Sequence, residues 1–348
     1  MQQGISTIKA VDLFCGVGGL THGLLKSGID VEAGFDLDEN CRYPYEFNNR
    51  AQFRERNVAE VDLDEITRFL VGGQHTLIAG CPPCQPFSTY SQSHRKKGEG
   101  EGWRLVREFG RIVETVQPDL VVMENVPQLC RHPVFAELLG YLSKYYVEWS
   151  VVEAVRWGVP QTRKRLVLIA SKLGPEGLSL VSDYHLRRTV RDAIYDLPAL
   201  KAGEVDSNDP LHTASRLSAK NLERIRHSKP GGTWRDWPIS LQSSCHQRDS
   251  GATYSSVYGR MTWDEPSPTI TTQCFGYGNG RFGHPSQDRA ISLREAAILQ
   301  TFPEGYEFVA PGEKVRFGVL GRLIGNAVPV RLGEVIGGTL MKHIEGYK

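Results

Sequence analysis

Short apolar runs of strand length alternate with segments of helical spacing through the first half of this 348-residue chain, and that alternation limits the fold more than any other feature. Val11-Asp12-Leu13-Phe14, Val31 to Phe35, Thr76 to Ala79, Leu120 to Met123 and Leu166 to Ala170 read as short buried strands. Between them, Leu20 to Lys26, Asp64 to Val71 and Trp103 to Val116 carry helical spacing. Strands alternating with helices imply βαβ units and a mainly parallel sheet with right-handed crossovers. An α/β fold follows, and in such a sheet ligands bind beyond the carboxyl ends of the strands.

After Ser171 the rhythm stops. Residues from about 174 to 290 are richer in Gly, Pro, Ser and His, with only short helical pieces at Val190 to Tyr195 and Lys220 to His227. Helical spacing returns at Ser292-Leu293-Arg294-Glu295. Three segments are therefore expected: 1–173 as a first domain, 174–290 as a second, smaller one, and 291–348 packing back to complete the first. No apolar run approaches the roughly 20 residues that cross a bilayer, and Met1-Gln2-Gln3-Gly4 lacks the start of a secretory signal. Seven scattered cysteines argue against a disulfide framework and for a reducing, cytoplasmic setting.

Two of the expected strands end in reactive residues. The run at Thr76 leads into Gly80-Cys81-Pro82-Pro83-Cys84-Gln85-Pro86-Phe87-Ser88, a proline-stiffened loop suited to presenting a nucleophilic thiol. The run at Leu120 delivers Glu124-Asn125-Val126. A Cys-x-x-Cys also occurs in dithiol redox sites and in zinc sites. The prolines disfavour the helix that a redox motif opens. A zinc site would need about four ligands, and only Cys245-His246 offers a complement. No metal is expected.

Asp12-Leu13-Phe14-Cys15-Gly16-Val17-Gly18-Gly19 ends a strand in a glycine turn that opens a helix, so backbone can approach a ligand closely. Thr21 breaks the full dinucleotide fingerprint. Asp36, twenty residues after Gly16, arrives where a ribose would want a carboxylate. Turn and acid together favour an adenosine-type ligand over a plain helix start.

These motifs resemble those of the C5-cytosine methyltransferases. Pro83-Cys84, Glu124-Asn125-Val126, Phe14-x-Gly16-x-Gly18-Gly19 and Gln161-Thr162-Arg163-Lys164-Arg165 match four motifs of that family. Arg260 with Pro268 to Thr272, and Gly325-Asn326-Ala327-Val328-Pro329, match two more. The likeness covers roughly residues 9–172 and 258–342. It implies a Rossmann-like, S-adenosylmethionine-dependent methyltransferase sheet with a smaller target-recognition domain. The implied reaction moves a methyl group from S-adenosylmethionine to C5 of a cytosine flipped out of duplex DNA at a specific sequence.

By the same matching, Phe14 packs on adenine, Asp36 binds the ribose hydroxyls, and Leu105 and Asn326 close around the methionine end. Gly16, Gly18, Gly19, Leu37, Val58, Pro83 and Val328 complete the cofactor site. Asn57 stands where the family usually has an acid, so its amide oxygen would have to accept from the adenine amino group. Cys84 would add to C6 of the base, Glu124 would hydrogen-bond N3 and the exocyclic amine, Arg165 would contact O2, and Arg163 would support the loop and the thiolate.

Net charge is only +1, but Arg216 to Arg235 holds six Lys or Arg against Glu223 alone. Arg224, Arg226, Lys229 and Arg235 are expected to meet phosphates. Ser88, Arg95, Lys96 and Lys97 lie on the segment that closes over a flipped base in the family. Gly231-Gly232-Thr233-Trp234 fits either a close backbone approach to DNA or a plain turn over a buried Trp. The expected partner is double-stranded DNA, bound by a monomer; any cognate restriction endonuclease would act as a separate protein. An RNA-directed branch of the family and a catalytically silent binding module are the alternatives.

Overall fold

A computed structural model describes residues 8–83, 101–180, 187–248, 251 and 255–347. Cys84, Ser88, Arg95, Lys96 and Lys97 lie outside these described residues. The chain forms two compact units. One comprises Met1–Ala154, Lys164–Ser182 and Val328–Lys348; the other comprises Val155–Arg163 and Asp183–Ala327.

The first unit is built on seven strands: β1 (Ile8–Leu13), β2 (Asp30–Asp36), β3 (Gln52–Glu55), β4 (His75–Gly80), β5 (Leu120–Asn125), β6 (Tyr146–Glu153) and β8 (Lys164–Ser171). They run in the order β3-β2-β1-β4-β5-β8-β6. Pairings from β3 through β5 are parallel, while β8 is antiparallel to both β5 and β6. Strand order reverses between β1 and β4, which makes their carboxyl ends the crevice of the sheet. The glycine turn follows β1 and the cysteine loop follows β4, so both motifs flank that point.

Helices α1 (Gly19–Lys26), α2 (Arg42–Asn49), α3 (Leu63–Leu70), α4 (Glu101–Val116) and α5 (Pro133–Tyr141) connect the strands. On α4 the buried residues Val106, Phe109, Ile112 and Val113 recur at helical spacing. They share one core with Val11, Leu13, Phe35, Ile78, Val121 and Met123 of the strands. Each such side chain contributes about 1.5–3 kcal/mol by leaving water, which anchors the strand ends that carry the polar motifs.

The second unit holds α6 (Val190–Ile194), α7 (Ala219–His227), α8 (Leu293–Leu299), α9 (Phe317–Asn326) and the short parallel pair β7 (Gln161–Thr162) with β9 (Ser267–Pro268). Among the described residues, no helix is long and apolar enough to cross a membrane.

The boundaries expected at 173 and 290 move. Residues 155–163 belong to the second unit because β7 pairs with β9. Residues 291–327 also stay there. Every residue of α8 is buried, and its Glu295 binds Arg289 through both carboxylate oxygens while Arg294 pairs with Asp209. Periodicity announces a helix without saying which core it joins. Only α10 (Val330–Glu345) returns to the first unit, where it packs on α1 so closely that a Cβ at Gly23 would stand 2.4 Å from the Val330 carbonyl oxygen.

Candidate active site

The turn after β1 bends through left-handed backbone at Phe14 (φ 59°), Gly16 (φ 52°) and Gly18 (φ 82°). For glycine this costs little; for Phe14 it stores strain of about 1–3 kcal/mol, of the kind that collects at functional sites. Among the described residues, no atom lies within 4 Å of where a Gly16 Cβ would project, so the turn faces open space there. Asp36 holds it in place: Oδ2 accepts from the Gly16 amide and Oδ1 from the Asp38 amide, each at 2.9 Å. Burial raises the Asp36 carboxyl above its usual range, and these two amides oppose the rise. Beside it Leu37 is 67% exposed, unusual for a leucine at the end of a buried strand. The turn thus carries a fixed carboxylate beside open space and an exposed apolar side chain.

Other residues expected around this corner are placed as follows. Asn57 caps a short 3-10 turn, its Oδ1 accepting from the Ala59 amide and its Nδ2 donating to Glu60. One lone pair of that oxygen is thus engaged. The Val58 side chain is buried in the main core, and Leu105 is half-buried on α4. Asn326 is exposed at the end of α9 in the second unit, and Val328 is buried in the first.

The loop after β4 is tied down at its root. The Cys81 amide donates to the Leu13 carbonyl at 3.1 Å, and the buried Pro82 carbonyl accepts from Asn125 Nδ2 at 2.8 Å, while Pro83 is exposed. Asn125 Oδ1 in turn accepts from the Val126 amide at 2.8 Å. Asn125 had no role assigned from sequence, although its place directly after Glu124 was the available signal. Burial, then the neighbouring Glu124, pushes the Cys81 thiol well above its ordinary value. A thiol held protonated is a poor metal ligand and a poor redox nucleophile, which weakens the dithiol and zinc alternatives.

Glu124, the penultimate residue of β5, has a side chain only 7% exposed, and its Oε1 lies 2.8 Å from Arg165 Nε. The contact is ionic rather than an aligned hydrogen bond, and among the described residues Oε1 has no hydrogen-bond partner in its buried setting. Arg165 is supplied by β8, which runs beside β5. A charged pair taken out of water with an acceptor left open is expensive to maintain unless a ligand uses it.

Arg163 sits in the second unit. Its buried guanidinium donates to the carbonyls of Ile270, Gly325 and Ala327. Among the described residues it bridges the Pro268–Thr272 and Gly325–Ala327 segments. Gln161 joins the same knot, accepting from the Ile270 amide and donating to Gln300.

The basic stretch divides. Arg224 is 6% exposed, donates to Leu241 O, Asn221 Oδ1 and Ser243 Oγ, and lies over the rings of Trp237 and Tyr258. It is a core residue of the second unit, because its amphipathic stem and fork are both spent inside. Arg226, Lys229 and Arg235 are exposed, Arg226 lying 3.6 Å from Asp288. Gly231 adopts φ 78° and Trp234 is buried, so that motif is a turn over a packed Trp.

A family model described as C-5 cytosine-specific DNA methylase matches residues 8–342. The chain is 50% identical over 344 residues to the type II methylase M.HgiDII of Herpetosiphon aurantiacus, covering 97% of this chain and 96% of that protein. It is 32% identical to the type II methyltransferase M1.HphI of Haemophilus parahaemolyticus, covering 97% and 87%. Among solved structures, an E. coli prophage-encoded protein described as a DNA modification methyltransferase superposes with a TM-score of 0.73 at 23% identity, over 97% of this chain and 99% of that one.

Proposed function

Because the chain belongs to the C-5 cytosine-specific DNA methylase family and is a DNA (cytosine-5) methyltransferase, we propose that it methylates a flipped cytosine in duplex DNA with Cys84 as nucleophile and Glu124 as the acid–base partner. The buried Glu124–Arg165 pair with its open Oε1 is the observation that carries this reading.

S-adenosylmethionine fits the turn: the left-handed backbone at Gly16 leaves room for a ligand, and Asp36 is fixed beside it. When bound it supplies an electrophilic methyl group on a sulfonium. Phe14 and Leu37 offer apolar surface for the adenine, Asp36 accepts from the ribose hydroxyls, and Leu105 completes the site within the first unit.

Cytosine C5 is a weak nucleophile. Addition of the Cys84 thiolate to C6 breaks the ring's conjugation and moves electron density onto C5. Glu124 holds N3 and the exocyclic amine as that density develops, and Arg165 both orients Glu124 and reaches O2. C5 would take the methyl group as the sulfonium S–CH3 bond breaks and releases S-adenosylhomocysteine, a solvent water would take the C5 proton, and the electron pair released would expel Cys84 from C6. A base inside a helix cannot meet these groups, so the nucleotide leaves the stack. Arg226, Lys229 and Arg235 hold phosphates of a duplex bound by one copy of the chain, and a restriction endonuclease, where one exists, acts as a separate protein. The cytoplasm suits this chemistry, since thiols stay reduced there.

The test is bisulfite sequencing of a random duplex library treated with the protein and S-adenosylmethionine. Protected cytosines within one fixed sequence support the reading. Protection confined to transfer RNA would contradict the duplex-DNA assignment.

A further inference from the structure

Helix α1 starts without a side-chain cap. Its N-cap residue is Gly18, with φ 82°, and no side chain at that position accepts from the first turn. The amides at a helix start nonetheless need partners. An ordinary Ser or Asp cap requires extended backbone at the N-cap, which the left-handed turn at Gly18 forbids. An open glycine turn and a self-capped helix are therefore incompatible here.

The partner comes from β1. Asp12 Oδ2 accepts from the Thr21 hydroxyl, in the first turn of α1, at 2.7 Å. Thr21 Oγ1 also lies 3.0 Å from the Tyr45 hydroxyl of α2. The Tyr45 ring crosses Gly34, the residue paired with Asp12 in the β1–β2 register; a Cβ there would come 2.3 Å from the ring. Asp12 is fully buried, and its Oδ1 has no hydrogen-bond partner among the described residues. Retaining such a carboxyl opposes folding.

We propose that Asp12 is a positioning residue of the glycine turn, capping α1 from the core side through Thr21 so that the open side at Gly16 is left to the cofactor. The inference rests on assigning that turn to cofactor binding. Burial raises the Asp12 carboxyl from its ordinary 3.8 to about 7, with Thr21 opposing the rise and Asp36 adding to it. The groups facing Asp12 are Asp36, the Cys15 and Cys81 thiols, both held protonated, and, through Thr21, the Tyr45 hydroxyl. The ionised form caps a helix start best, so cofactor affinity rises with pH through about 7. Stability has the opposite sign: the folded state holds this proton more tightly than the unfolded one, so the Asp12 contribution falls as pH rises from about 4 to about 7.

Calorimetric binding of S-adenosylmethionine and S-adenosylhomocysteine, with amide hydrogen exchange on the ligand-free protein, tests this in Thr21→Val, Thr21→Ser and Asp12→Asn. Thr21→Val should weaken cofactor binding about 10-fold and speed exchange in the first turn of α1, with duplex affinity unchanged. Thr21→Ser should restore both. Asp12→Asn keeps an acceptor without a titrating group. It should flatten the affinity profile near pH 7 and melt no lower than the wild type at pH 8. Wild-type affinity in folded Thr21→Val, or an unaltered pH profile in Asp12→Asn, would overturn the proposal. Wild-type protein that binds neither ligand would overturn the cofactor assignment instead, which the exchange measurement does not depend on.

Discussion

Asn125 Nδ2 donates to the carbonyl of Pro82 across 2.8 Å, joining the end of β5 to the root of the loop after β4. Both groups are buried. The residue beside the acid thus fixes the residue two before Cys84, which couples the two halves of the proposed chemistry. Asn125→Ala would leave the Pro82 carbonyl buried without this donor, a loss of about 1–3 kcal/mol. Steady-state kinetics should show kcat falling well below wild type while cofactor affinity, measured by titration, stays within about twofold. An unchanged kcat would show that the loop root does not need this anchor.

Glu124→Gln retains a hydrogen-bonding side chain but cannot stabilise the protonated base as a carboxylate does. Single-turnover methyl transfer should slow by at least about 100-fold, with DNA binding preserved. The substitution also removes the charge that faces Arg165, 2.8 Å away. Full methyl-transfer rates in this variant would remove Glu124 from the mechanism.

Cys84→Ala should abolish methylation and leave cofactor binding intact, since the thiolate attacks the base and does not hold the donor. Cys81→Ala should keep substantial activity, because the Cys81 thiol is held protonated by burial and by Glu124. Equal inactivity of the two folded variants would reopen the dithiol alternative.

The exposed and buried members of the basic stretch should separate cleanly. Neutralising Arg226, Lys229 and Arg235 should flatten the salt dependence of duplex binding, by about 0.9 in log–log slope for each lost phosphate contact. Arg224→Ala should instead lower the melting temperature, because it strips donors from Leu241 O and Ser243 Oγ and opens a gap beneath Trp237. A reduced slope with unchanged stability in Arg224→Ala would contradict its assignment to the core.

The central strands were legible in the sequence, since β1, β2, β4, β5 and β8 each carry a short, mostly apolar and buried stretch between helical segments. The edge strand β6 was not. Tyr146, Trp149 and Val151 are exposed on it, so it carries neither a buried run nor a clean alternation. The glycine turn and Asp36 could be located because backbone strain and a strand-end acid leave marks in residue type. Arg224 misled because charge density along a chain says nothing about which guanidinium folds inward. Asn125 was silent for a related reason: an amide that bonds one carbonyl across the sheet has no periodicity of its own. Helix α8 was recognised as a helix but given to the wrong unit, since burial on every face is invisible until its partners α6 and α9 are in place.

The central claim is covalent catalysis on a flipped cytosine in duplex DNA, and one measurement addresses it directly. Duplex DNA carrying 5-fluorocytosine at the methylated position is incubated with the protein and S-adenosylmethionine, then run on a denaturing gel. Once C6 has been attacked and C5 methylated, fluorine occupies the place of the proton that must leave, so elimination of the thiolate is blocked. The account predicts a protein–DNA adduct that survives denaturation, maps to Cys84 by mass spectrometry, and is absent in Cys84→Ala. Methylation of ordinary duplex DNA without any adduct on the fluorinated duplex would contradict it.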